Sequence, residues 1–95
     1  MNKVIKFSAS WCAPCQIMAP IFKQFQEQHQ QEPVEILDID VDVNYEEANL
    51  YNVRSVPTTL FFKDNIVIES IRGAVDLKKL NQVYEKSFAK GTKMT

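Results

Sequence analysis

The stretch "SASWCAPCQIMAP", residues 8–20, holds the only two cysteines of the 95-residue chain, three positions apart, behind a tryptophan and around a proline. From Ile17 the apolar residues recur at four-residue spacing through Ile21 and Phe25, flanked by Met18 and Phe22, so a helix is expected to begin around the cysteines. Pro20 lies inside that pattern; it removes one backbone donor and is expected to kink the helix, because the periodicity resumes beyond it. Just upstream, "KVIKF" is a compact apolar run ending at small residues, which reads as a buried strand. A strand running straight into a helix, with a C-x-x-C at the junction, frames the rest of the chain.

Downstream, "QEQHQQEP" turns polar and stops at Pro33. "VEILDIDVD" (34–42) then alternates, with Leu37, Ile39 and Val41 on one face and Ile36, Asp38, Asp40 and Asp42 on the other, giving a strand with one acidic face. Asn44, Glu46 and Glu47 read as the cap and first turn of a short helix reaching about Tyr51. "TTLFF" and "IVIESIR" flank "KDN", where Asn65 can take the positive φ of a tight turn, so a hairpin is expected. Asp76 is a good N-cap for a last amphipathic helix carrying Leu77, Leu80, Val83, Tyr84 and Phe88 on one stripe. The opening strand–helix–strand implies a parallel pair with a right-handed crossover, and the hairpin adds an antiparallel pair. The expected class is α/β, with a mixed sheet and helices on its faces.

The length suits a single domain, residues 1–95, with a core over about 3–88 and a flexible tail at 89–95. Forty-five per cent apolar and 24 per cent charged residues describe an ordinary globular protein. A formal charge of −1 supplies no long-range field for nucleic acid or an anionic membrane, so neither is an expected partner. The N-terminal run is too brief for a signal peptide, and no run approaches the ~20 apolar residues of a membrane span. A cytoplasmic location is therefore expected, where a lone C-x-x-C is usually redox-active or metal-binding.

Disulfide exchange needs a thiolate and an attackable sulfur. The first turn of a helix favours the thiolate, through unpaired N–H groups and the positive end of the dipole. Cys12 falls at that turn and Cys15 one turn further in, close enough to bond with little strain. Pro14 occupies a first-turn position where its missing N–H costs nothing. Structural zinc wants four ligands, and this motif with the single His29 supplies three at most, so no metal is expected. His29 reads as a partly exposed helix residue without a catalytic role.

Three segments, "FSASWCAPCQIMAP", "VRSVPTTLFF" and "SIRGA", in that order and across nearly all of residues 3–88, resemble the thioredoxin family. The resemblance implies a thioredoxin-like fold, β-α-β-α-β-β-α, with a mixed four-stranded sheet flanked by helices. It implies a disulfide reductase acting on disulfide-containing proteins, with Cys12 as nucleophile, Cys15 as resolving thiol and a redox-active Cys12–Cys15 disulfide. No bound cofactor is implied. NADPH enters indirectly, through a thioredoxin reductase, and the protein is expected to be a monomer. Pro57 matches the family's cis-proline, an isomer that costs little more than trans at an X–Pro bond, and Val56 before it is expected to pair main chain to main chain with the substrate. Gly73 matches the glycine that closes the family's substrate groove. With Trp11, Ala13, Pro14, Val56 and Ala74 it would form an apolar patch around Cys12.

The chain also departs from the family. Ala13 replaces the usual glycine of W-C-G-P-C, and Arg72 stands where the family often has an apolar residue. Arg72 is either a solvated strand-end charge or a recognition point for acidic substrates. Residues 3–7 match the family's second strand, so strand 34–42 is expected at a sheet edge, where its acids would discourage further pairing. Six residues before the nucleophile the family usually carries a buried aspartate, paired with a lysine on the neighbouring strand. Here those positions hold Lys6 and Asp38, the acid and base exchanged. One reading makes them a buried tuning pair, with the cation lowering the pKa of Cys15 and easing reduction of the disulfide. The other lets Lys6 snorkel to solvent, paired with nothing important. Two other functions stay open: a glutathione-coupled, glutaredoxin-like reductase, and a non-catalytic binding module that clamps a larger enzyme.

Overall fold

The structure is a computed structural model and describes residues 1–88; the expected tail at 89–95 lies outside the described residues. Seven elements follow in the expected order: β1 (Asn2–Ser8), α1 (Ala13–Gln28), β2 (Val34–Asp40), α2 (Tyr45–Leu50), β3 (Thr58–Lys63), β4 (Ile66–Arg72) and α3 (Leu77–Phe88). The sheet runs β2-β1-β3-β4, with β1 parallel to β2 and the other pairs antiparallel. β2 is an edge strand, as expected from the match of residues 3–7 to the second strand of the family it resembles.

Alternation along β1 divides the interior. Val4 turns to one side, where it packs with Met18, Phe22 and Phe25 of α1 and Leu80, Val83, Tyr84 and Phe88 of α3. Ile5 and Phe7 turn to the other, against Leu60, Phe62 and Ala48 of α2. Lys6 shares the Val4 face and is 1% exposed, so a charge sits inside that layer. The β3–β4 hairpin closes through Asp64 (φ 53°) and Asn65 (φ 70°), the left-handed pair that a two-residue turn needs. Asp76 caps α3, its carboxylate accepting the Lys79 N–H at 2.9 Å.

Three local expectations are corrected. The buried stripe of α1 runs through Cys15, Met18, Phe22 and Phe25, while Ile17 is 69% exposed. Alternate steps of three and four residues keep the cysteine turn and the phenylalanines on one face, which turns Ile17 outward. β2 ends at Asp40, two residues early, because the Asp40 carboxylate accepts the Asp42 N–H at 2.8 Å and folds the chain into a turn. Asn44 stands at the N-cap of α2 but makes no side-chain cap hydrogen bond.

His29 is the fourth correction: it is buried, not partly exposed. It forms the C-cap of α1, with Nδ1 2.8 Å from Glu32 Oε1 and Nε2 2.7 Å from Asn81 Oδ1 of α3. Its ring stacks on Tyr84 at 3.8 Å between centroids, and the Tyr84 hydroxyl donates to the same Glu32 oxygen. Burial, and then the Glu32 carboxylate, push the Tyr84 pKa up, which keeps that hydroxyl a donor. His29→Ala removes the stacked ring and both polar bridges. We expect a loss of about 2–3 kcal/mol in urea unfolding; a loss under about 0.5 kcal/mol would mean the bridges add nothing net.

Candidate active site

β1 delivers the chain to a tight turn closed by the Cys12 N–H donating to the Ala9 carbonyl at 3.2 Å. Cys12 is the N-cap of α1, in extended backbone (φ −95°, ψ 110°), and its Sγ accepts the Cys15 N–H at 3.2 Å. The sulfur thus does what a serine oxygen does at other helix starts, and it stands on the positive end of a 16-residue helix. Pro14 fits the first turn, where no N–H is required. Cys12 and Cys15 form a disulfide, with Cα atoms 5.2 Å apart.

The sulfurs are less open than disulfide chemistry suggests. Cys12 is 5% and Cys15 3% exposed, both packed with Ala9 and flanked by Val41 and Val56. The Val56–Pro57 peptide is cis, and the Val56 carbonyl oxygen lies 3.6 Å from Cys12 Sγ. Behind it, the Pro57 carbonyl accepts the Gly73 N–H at 2.8 Å. Gly73 has φ +92°, a conformation that side chains resist, and nothing stands within 4 Å of where a Cβ would be. Its glycine is therefore needed for backbone shape, not for room.

Trp11 is 70% exposed, its Nε1 donating to Asp42 Oδ2 at 2.8 Å. In the sequence Asp42 is one acid of a strand face; the signal for its role is an indole N–H that needs an acceptor near an acidic strand end. Trp11, Val41, Val53 and Val56 line a cavity of about 140 Å³ beside Cys12. Ala13 and Pro14 are exposed on the first turn of α1, and Ala74 is exposed after Gly73. Arg72 lines a second cavity with Ser70 and Thr58, which shares Val53, Arg54 and Ser55 with the first.

Lys6 does not reach solvent. Its Nζ lies 3.1 Å from Asp38 Oδ2 and 5.1 Å from the centre of the Phe22 ring. The parallel register sets Lys6 beside Asp38 and Ser8 beside Asp40. Ser8 Oγ donates to the second Asp38 oxygen at 2.9 Å. Opposite Lys6, Thr59 is fully buried with its hydroxyl unpartnered. His29 is at the far end of α1, about 21 Å along the axis from Cys15 at 1.5 Å per residue, too far to join the cysteines on a metal.

A disulfide closing the first turn of a helix, laid against an X–Pro segment at the end of an α/β sheet, defines a thiol–disulfide oxidoreductase. The thioredoxin family model matches residues 1–86. The thioredoxin of Listeria monocytogenes is 39% identical over 80 residues, which is 84% of this chain and 77% of that protein. The Bacillus subtilis thioredoxin is 38% identical over 80 residues, 84% of this chain and 76% of its own. The solved structure of Fasciola hepatica thioredoxin superposes with a TM-score of 0.82 at 32% identity, over 92% of this chain and 81% of that one. The chain belongs to the thioredoxin family: a small dithiol–disulfide oxidoreductase that acts on protein disulfides through a redox-active disulfide and needs no bound cofactor. No helix among the described residues is long and apolar enough to cross a membrane.

Proposed function

We propose that Cys12 is the attacking thiol, Cys15 the resolving thiol, and that the pair works as a reductant of protein disulfides. The observation that carries this is the setting of Cys12 Sγ, at the N-cap of α1 with the Cys15 N–H donating to it. In the reduced protein that donor and the helix dipole favour a thiolate at Cys12. Cys12 Sγ attacks one substrate sulfur; the Cys12–substrate bond forms, the substrate S–S bond breaks, and the other substrate sulfur leaves as a thiolate. Cys15, having lost its proton, then attacks Cys12 Sγ. The Cys12–Cys15 disulfide forms and the second substrate sulfur is released, so two electrons have passed to the substrate.

The Val56 main chain, whose carbonyl oxygen lies 3.6 Å from Cys12 Sγ, is the docking segment for the substrate backbone. Trp11, Ala13, Pro14, Pro57, Gly73 and Ala74 give the apolar surroundings, and Lys6 with Asp38 tunes the resolving step. The oxidised protein is re-reduced by a thioredoxin reductase drawing on NADPH. It works as a monomer in the cytoplasm.

Direction of flow is tested by the equilibrium potential of the pair, titrated against glutathione with Trp11 fluorescence as reporter. We expect roughly −270 mV, the poise of a cytosolic reductant. A value of roughly −180 mV or above would overturn the reductant reading in favour of an oxidant or isomerase.

A further inference from the structure

The charges around Cys12 are unevenly engaged. On the Trp11 side every nearby aspartate has a partner: Asp42 takes the Trp11 indole N–H, Asp40 takes a backbone N–H, and Asp38 takes Lys6 and Ser8. In the neighbouring cavity that shares Val53, Arg54 and Ser55 the opposite holds. Arg54 and Arg72 line one cavity of about 300 Å³ with the hydroxyl residues Ser55, Thr58 and Ser70, and no acidic side chain among the described residues lines it. Neither guanidinium takes part in an ion pair among the described residues. Arg54 is held by one neutral contact, its Nε donating to Asn52 Oδ1 at 3.0 Å.

This cationic cavity adjoins the redox site through shared backbone. Arg54 and Ser55 line both it and the smaller cavity beside Trp11. Arg72 pairs with Thr58, the residue after Pro57, and precedes Gly73, whose N–H donates to the Pro57 carbonyl. A polypeptide lying along Val56 with a half-cystine at Cys12 therefore runs beside the short segment, residues 53–55, that lines both cavities.

We propose that Arg54 and Arg72 select protein disulfides whose half-cystine is followed or preceded closely by Asp or Glu, the carboxylate entering the cavity they line. The inference rests on the reading of Cys12 as attacking thiol and Val56 as docking segment. It adds substrate choice, not a new chemical step. A carboxylate meeting two unpaired guanidinium groups in a partly enclosed site gains more than one at an open surface, and loses that gain in salt.

The test uses two disulfide peptides identical except for Glu or Gln beside the half-cystine, mixed with pre-reduced protein and followed by Trp11 fluorescence. The wild type is expected to reduce the Glu peptide about three- to tenfold faster, with the ratio approaching one at about 0.5 M salt. In Arg54→Gln/Arg72→Gln the ratio falls to one, and in Arg72→Glu it falls below one. Both arginines are exposed, so the fold survives these changes. Equal wild-type rates on the two peptides, or a ratio that the double variant leaves intact, overturns the arginine proposal alone. Failure of the wild type to reduce either peptide overturns the underlying docking reading, and the proposal with it.

Discussion

Cys15→Ser is expected to turn the protein from a turnover reductase into a trap. Cys12 retains its N-cap position and its attack on a substrate disulfide, but no second thiol releases the product. The mixed disulfide should persist and be visible as a covalent adduct on a non-reducing gel and by mass spectrometry. Cys12→Ser should form no adduct and lose activity by on the order of a thousandfold or more, because the thiolate itself does the chemistry. The assignment depends on an asymmetry within one turn: Cys12 Sγ faces the Val56 carbonyl oxygen at 3.6 Å and accepts the Cys15 N–H. If Cys12→Ser gave the adduct and Cys15→Ser did not, the two roles would have to be exchanged. A double Cys12→Ser/Cys15→Ser variant that kept full biological activity would instead support a binding module that never turns over.

What the sequence disclosed, and what it concealed, follows from the range of each interaction. Element order was legible because periodicity, caps and turn residues act within a few positions, as Asp76 and the Asp64–Asn65 turn do. The redox motif was legible for the same reason, both cysteines lying in one turn. The misreadings came where a distant partner decides. Ile17 continues an apolar rhythm, yet the face of α1 is chosen by what the sheet and α3 offer to Phe22 and Phe25. His29 looked half-solvated because its partners Asn81 and Tyr84 are some fifty positions away. The carbonyl 3.6 Å from Cys12 Sγ belongs to Val56, 44 residues on. The family resemblance pointed to that residue where periodicity did not. Arg54 carries no signal in the sequence, because an arginine in a loop is ordinary unless a second one, here Arg72 of β4, shares its cavity.

Lys6 and Asp38 should respond unequally to mutation, because they are unequally buried. The Lys6 side chain is 1% exposed and that of Asp38 is 40% exposed. Asp38→Asn leaves an ammonium inside the α1 face, with the Phe22 ring and a weaker amide for company. The expected cost is about 2–4 kcal/mol, somewhat under the ~3–5 kcal/mol for a fully buried pair because the Asp38 side chain is 40% exposed. Lys6→Met removes the charge that was costly to bury, keeps an unbranched apolar stem, and leaves Asp38 with Ser8 and water. Its expected cost is within about 1 kcal/mol. Chemical unfolding gives both numbers, and equal losses would mean that water reaches Lys6 Nζ after all. The potentials should move in opposite directions. A lone cation on the α1 face favours the thiolate and raises the potential in Asp38→Asn; its removal in Lys6→Met lowers it, each by roughly 10–30 mV. Shifts below roughly 5 mV in both variants, read in the same glutathione titration, would leave the pair a structural contact and end its claim to tune Cys15. The stability difference, resting on burial alone, would still stand.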